Sequence, residues 1–212
     1  MIGVLLIDDH PIVRYGFMQL LAPESDIKVC GEAVDAASAM EALDAEPDVV
    51  VLDLSLGATN GLDLIRDIKG RLPQTAVLVV SMHDELLYAE RSLRAGASGY
   101  VMKHEATDAI VRAIRTVSSG DIFVSETVSR RLLRRVVGAA PTNSPLDELT
   151  DRELHVFALL GRGLGTRAIA EEMHISVKTV ESYRARLKEK MKLASGTELV
   201  RFAVRWGEEK KQ

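Results

Sequence analysis

Through the first 120 residues, short apolar runs alternate with amphipathic stretches. Residues 2–7, 27–33, 49–52, 76–81 and 98–102 are short, mainly apolar runs and read as strands. Residues 12–21, 36–45, 62–70, 85–95 and 108–117 repeat apolar positions every three to four residues and read as helices. Gly96 and Gly120 stand where helices stop, Pro47 and Pro73 precede strands, and Pro11 adjoins a helix start. Strict β/α alternation with short connections predicts a five-stranded, doubly wound parallel sheet covered on both faces.

The pattern then changes. Residues 121–146 read as a linker with one helix over 125–137, its apolar positions Val128, Leu132, Leu133 and Val136 opposed by Arg130, Arg131, Arg134 and Arg135. Such arginines are more often a solvated helix face than a binding site. Residues 147–206 predict a smaller, all-α second domain of four short helices at 151–160, 166–173, 177–192 and 197–205, with a tail at 207–212. Thr150 with Glu153, and Ser195 with Glu198, have the spacing of capping boxes. Residues 174–176 join the middle two helices at helix-turn-helix spacing, with His174 tolerable at positive φ.

Charge separates the same two halves. Through Gly120 there are 18 Asp/Glu against 10 Lys/Arg, whereas residues 147–206 carry 9 against 11. The basic excess lies in 177–193, where Lys178, Arg184, Arg186, Lys188, Lys190 and Lys192 meet only Glu181 and Glu189, so a polyanion is the natural partner there. Cys30 is the one cysteine, which excludes an intramolecular disulfide and a thiolate zinc site. The chain opens on a strand-like run rather than a signal peptide, and no apolar run reaches membrane-spanning length, so a cytoplasmic protein with no membrane partner is expected.

Asp8 and Asp9 follow the first strand and Asp53 the third, so in a parallel sheet these carboxylates converge at the edge where such sheets bind ligands. An oxygen-only cluster suits hexacoordinate Mg²⁺ and, through it, phosphate. N-capping of the next helix is the competing reading of the acidic pair. On the third helix of the second half, Val180, Leu187 and Met191 share one face, with Lys178, Ser182, Ala185 and Glu189 opposite and Glu181 and Arg186 at the margins. Small and charged residues on the outer face fit major-groove entry, although a solvated basic helix has the same pattern.

The series Asp8-Asp9, Asp53, Ser81, Tyr100 and Lys103, followed by LTDRELHVFALLGRGLGTRAIAEEMHISVKTVESYRARLKEKMKL, resembles a two-domain response regulator of the NarL/FixJ class over nearly the whole chain. The resemblance implies a flavodoxin-like receiver (1–120) and a LuxR-type helix-turn-helix domain (147–206). It implies that Asp53 is the phosphoacceptor for a sensor histidine kinase, and that Asp9 binds Mg²⁺ directly, Asp8 through water and Ser55 by its backbone carbonyl. Lys103 then pairs with the phosphoryl group, Ser81 is the switch hydroxyl, and Tyr100 is the aromatic that turns inward with it. On the DNA side it implies contacts from Lys178, Thr179, Glu181, Ser182, Tyr183, Ala185, Arg186, Lys188 and Lys190 to double-stranded promoter DNA, bound by a homodimer paired through 197–206.

The sequence departs from the family at three points. Leu56-Gly57 replaces the usual Met-Pro, so a more mobile loop and looser metal geometry are expected. His104 replaces a proline, so no cis bond is expected there. Glu181 puts an acid near the bases, to accept from cytosine N4 or to repel phosphate. Ser55 and His83, each two residues beyond a site residue, should border the phosphoryl group and tune its lifetime; an idle loop histidine is the alternative. A turnover enzyme is not expected: a phosphohydrolase with Asp8 as nucleophile would carry an acid where His10 stands. RNA binding lacks an aromatic stacking surface. The main alternative is a DNA-binding regulator with a vestigial, phosphorylation-independent receiver.

Overall fold

The computed structural model describes residues 1–56, 59–105, 107–137 and 145–208, which fall into two compact units divided between Ala140 and Pro141. In chain order the first unit contains β1 (Ile2–Ile7), α1 (Pro11–Leu21), β2 (Ile27–Ala33), α2 (Ala36–Ala42), β3 (Val49–Leu52), β4 (Ser55–Leu56) and β5 (Thr59–Asn60). It continues with α3 (Gly61–Arg71), β6 (Ala76–Ser81), α4 (Glu85–Ala95), β7 (Gly99–Met102), α5 (Thr107–Ser118) and α6 (Glu126–Val136). Five strands form an all-parallel sheet in the order β2-β1-β3-β6-β7.

Both faces of the sheet are covered, which is why its strands read as continuous apolar runs. Every residue of β3 and β6 is buried. On one face Val4, Leu6, Val49, Val51, Leu78 and Val80 pack with Phe17 and Leu21 of α1 and Ile110 and Ile114 of α5. Small boundary differences follow from local capping: residues 43–45 tighten into a 3-10 turn after α2, and α3 starts at Gly61, capped by the Asn60 side chain accepting from the Leu62 N–H. The short antiparallel pair β4–β5 is absent from the sequence reading, because two-residue strands carry too few positions to show a period.

Gly61 fits where no other residue does, since a Cβ there would stand 2.6 Å from the Leu54 Cα. That close approach seats α3 directly on the loop after Asp53. No described peptide bond is cis, including Lys103–His104, as expected from the missing proline. The loop at Gly57 lies outside the described residues.

The helix expected in the linker packs on α4 of the first unit. Its Val128 is buried, the Arg131 guanidinium donates to the Leu86 carbonyl at 2.8 Å, and the Ser125 hydroxyl donates to Glu85 at 2.9 Å. Just before it, the Phe123 N–H donates to the Ser98 carbonyl and the Phe123 carbonyl accepts from the Tyr100 N–H, at 3.0 and 2.9 Å, extending the sheet beyond its edge strand β7.

The second unit contains a 3-10 turn (Pro145–Glu148) and helices α7 (Asp151–Gly161), α8 (Thr166–Glu172), α9 (Val177–Lys190) and α10 (Gly196–Glu208). Its core joins Leu154, Phe157, Leu160, Ile169, Val180, Leu187, Leu199 and Ala203. The Thr150–Glu153 capping box forms in both directions. At α10 the Ser195 hydroxyl accepts from the Glu198 N–H, but the Glu198 carboxylate takes the Ala194 N–H rather than that of Ser195. His174, at φ 50°, makes the left-handed turn between α8 and α9.

Candidate functional site

Strand register brings the acidic residues together. Ile7 pairs with Leu52, so Asp8 and Asp53 leave adjacent strands at one level, and the Asp53 N–H donates to the Ile7 carbonyl at 2.9 Å. Ser81 pairs with Met102, and the Lys103 N–H donates to the Ser81 carbonyl at 2.9 Å. Four strand ends, those of β1, β3, β6 and β7, thus meet around one pocket.

The Lys103 ammonium donates to Asp8 Oδ2 and Asp53 Oδ2, each at 2.6 Å. All three side chains are withdrawn from solvent, the carboxylates to 4% exposure and the lysine to 12%. Burial pushes the Asp53 carboxyl above its ordinary range, with Lys103 pulling it back. Burial alone would lower the Lys103 ammonium, but Asp53 and Asp8 outweigh it and hold it above its ordinary value. The second Asp53 oxygen, Oδ1, is buried without a hydrogen-bond partner, a costly state that a cation or a covalent addition would relieve.

Ligand atoms of Asp8, Asp9, His10 and Asp53 lie within 4.8 Å of one another. His10 is an addition to the residues expected here. It is largely exposed, with Nδ1 2.6 Å from Asp9 Oδ1, and it occupies the cap of α1 without a side-chain bond. The competing capping role of the acidic pair is therefore limited to Asp8 Oδ1 accepting from the His10 N–H at 2.9 Å. The three carboxylates at this spacing fit a divalent cation held by oxygen ligands, with Ser55, at the head of β4, close in sequence to supply its carbonyl.

Ser81 and Tyr100 are both buried, and the Tyr100 ring points inward with its hydroxyl donating to the His83 carbonyl at 2.7 Å. Burial pushes that phenol well above its ordinary pKa. The Ser55 hydroxyl and His83 Nε2 lie 3.0 Å apart.

In the second unit, Val180 and Leu187 face the core while Lys178, Glu181, Ser182, Ala185 and Arg186 are exposed on α9; Thr179, Tyr183 and Lys188 are half-buried. Ser176, Lys178, Thr179, Ser182, Tyr183 and Arg186 line one shallow open pocket at the start of the helix. Ser176 caps α9, accepting from the Thr179 N–H at 3.0 Å. Arg184 turns inward and donates to Thr166 at 2.6 Å, fixing α9 against the start of α8.

Lys190 departs from its expected place on the DNA face. Its ammonium donates to the buried Glu153 at 2.6 Å and to the Glu148 carbonyl at 3.1 Å. Burial alone would raise the Glu153 carboxyl, but Lys190 and Thr150 hold it below its usual range. On a helical wheel Lys190 falls at the flank, between the face of Val180 and Leu187 and the outer face of Lys178 and Ser182, and its long stem carries the charge to an acid the wheel does not show.

A family model of the response regulator receiver domain matches residues 4–115, and one of bacterial regulatory proteins of the luxR family matches residues 147–203. The chain belongs to the response regulators of the NarL/FixJ class. It is 34% identical over 209 residues to the oxygen regulatory protein NreC of Staphylococcus carnosus, covering 95% of this chain and 96% of that one. It is similar to RcsB of Salmonella enterica serovar Typhimurium, solved on promoter P1flhDC with the phosphomimetic BeF3⁻, at TM-score 0.66 and 25% identity over 95% and 98% of the two chains. A LuxR-family response regulator from Aurantimonas sp. matches at TM-score 0.60 and 32% identity, over 65% of this chain and 99% of that one.

In this response regulator the receiver brings Asp8, Asp9, Asp53, Ser55, Ser81, Tyr100 and Lys103 to one end of the sheet, and α9 with its exposed basic residues belongs to the LuxR-type domain. Among the described residues, no helix is long and apolar enough to cross a membrane.

Proposed function

We propose that this response regulator is switched by transfer of a phosphoryl group from a sensor histidine kinase to Asp53, and that the switch governs binding of a homodimer to promoter DNA in the cytoplasm. The observation that carries the reading is the buried, unpartnered Oδ1 of Asp53, beside a second oxygen already fixed by Lys103. Oδ1 attacks phosphorus, the P–N bond to the kinase histidine breaks, and the imidazole leaves with the electron pair. Asp8, Asp9, Asp53 and the Ser55 carbonyl would hold Mg²⁺. When bound, Mg²⁺ supplies positive charge that offsets the carboxylates and the incoming phosphoryl oxygens. Lys103 adds a cation already aimed at Asp53.

Ser81 and Tyr100 then report the new charge to α4, and two α9 helices read half-sites about one helical turn apart. Leu199 and Ala203 of α10 are used inside the domain, which leaves the half-buried Val200 and Val204 for pairing. The receiver's own chemistry is limited to accepting the phosphoryl group and slowly losing it to water.

Wild type and Asp53→Asn are incubated with acetyl phosphate and Mg²⁺, weighed intact, and assayed for DNA binding. One added phosphoryl group in wild type alone, with tighter binding, is the expected result. No gain in wild type, beside a known receiver that labels, would overturn the switch and leave the vestigial-receiver reading.

A further inference from the structure

Glu181 is the one acid in the first two turns of α9, the part of a recognition helix that meets base edges. Arg184, one turn on, is its natural ion-pair partner, but that guanidinium donates to Thr166 Oγ1 at 2.6 Å and is held against α8. Among the described residues the Glu181 carboxylate takes no hydrogen bond and no ion pair, and the side chain is exposed.

The residues around it leave room for a base. Ser182 stands beside it on the outer face and Ala185 one turn further along its own row. The Ser182 hydroxyl donates back to the Lys178 carbonyl at 3.0 Å and so lies along the helix, while Ala185 presents only a methyl. Neither holds the helix away from the groove floor. Lys178, one turn before Glu181, and Lys188, two turns after it, supply positive charge against the phosphates that would otherwise repel a carboxylate.

We infer that Glu181 is a specificity-determining residue that reads a cytosine in each half-site by accepting a hydrogen bond from its N4 amine, and this rests on the DNA binding proposed above. A carboxylate only accepts, and the major groove offers two kinds of donor, cytosine N4 and adenine N6. Adenine N6 lies next to N7, an acceptor that repels the second carboxylate oxygen, whereas cytosine has no acceptor beside N4 on its groove edge. Guanine and thymine present acceptors and no donor there. The charge and the one-way bonding of Glu181 therefore select cytosine over the other three bases.

Full-length wild type, Glu181→Ala and Glu181→Gln, each treated with acetyl phosphate and Mg²⁺, are used to select bound duplexes from a random pool, and affinities for the selected sites are measured at one fixed salt concentration. Wild type is expected to enrich cytosine at one position of each half-site and to bind about tenfold more weakly when another base stands there. Glu181→Ala should select the same motif with that position open. Glu181→Gln should select adenine there, because an amide accepts from N6 while donating to N7. A duplex carrying 2-pyrimidinone, a cytosine without its N4 amine, should cost wild type the same factor of about ten and leave Glu181→Ala unchanged. All three proteins should melt alike, since the carboxylate has no partner within the described fold.

Identical preferences at every position in all three proteins would overturn the inference. So would a Glu181→Ala protein that binds every duplex more tightly by one common factor, which marks Glu181 as a repeller of phosphate. Lower melting of Glu181→Ala, with preferences blurred along the whole site, would overturn it as well, because that marks a structural role. If wild type enriches no sequence at all, the DNA-binding reading itself falls, and the reading of cytosine by Glu181 with it.

Discussion

Replacing Lys190 by Met tests whether its charge belongs to DNA or to the fold. Glu153 is 2% exposed and takes the Lys190 ammonium at 2.6 Å, so the substitution leaves a buried carboxylate without its cation. Breaking a fully buried pair costs roughly 3–5 kcal/mol. The Lys190 side chain is 32% exposed, so water replaces part of what is lost and about 2 kcal/mol is expected. For a domain of this size that is a fall in melting temperature of about 10 °C. Trp206, the only tryptophan, lies in α10, so its fluorescence follows the second unit alone. Lys178→Met, at an exposed site on α9, is the control. It should melt like wild type but lower the slope of log affinity against log salt by about 0.9, the share of one phosphate contact, whereas Lys190→Met should leave that slope nearly unchanged. A Lys190→Met protein with wild-type melting and a reduced salt slope would refute the reasoning.

Gly61→Ala should cost about 2 kcal/mol in denaturant unfolding and slow phosphoryl labelling together, because the new methyl meets the Leu54 backbone on the loop after Asp53; wild-type stability would contradict this close approach. Burial holds the His155 imidazole at about 4, against 6.5 in the unfolded chain. Between those values the unfolded state binds the extra proton, so the stability His155 confers is complete above 6.5 and is lost as pH falls toward 4. Melting of the second unit followed through Trp206 should lose about 2 kcal/mol between pH 6.5 and 5 that His155→Gln does not lose; parallel curves for the two proteins would dispose of the assignment.

The parallel sheet was legible because burial on both faces leaves unbroken apolar runs, and four of the five predicted strands keep their bounds. The pocket was legible for the same reason: strand ends fix where Asp8, Asp53, Ser81 and Lys103 stand, so strand positions alone locate the site. What stayed hidden depends on partners far along the chain. The amphipathic pattern of α6 shows that one face is covered, but not that α4 covers it. The wheel position of Lys190 says nothing of Glu153, 37 residues earlier. His10 joins the acidic cluster through the turn into α1, which follows from backbone geometry at Pro11 rather than from any periodicity.

The bonds from Phe123 to Ser98 and Tyr100 bear on how such proteins are assembled in evolution. Exchange of an effector domain needs a joint between the two units, and the five β/α repeats end at Gly120. Here a joint at Gly120 would strip the open side of β7 of its neighbour and uncover α4, exposing unpaired backbone and an apolar strip at once. The piece that can be exchanged intact runs through α6, so an inherited effector must accept that helix as part of the module it joins.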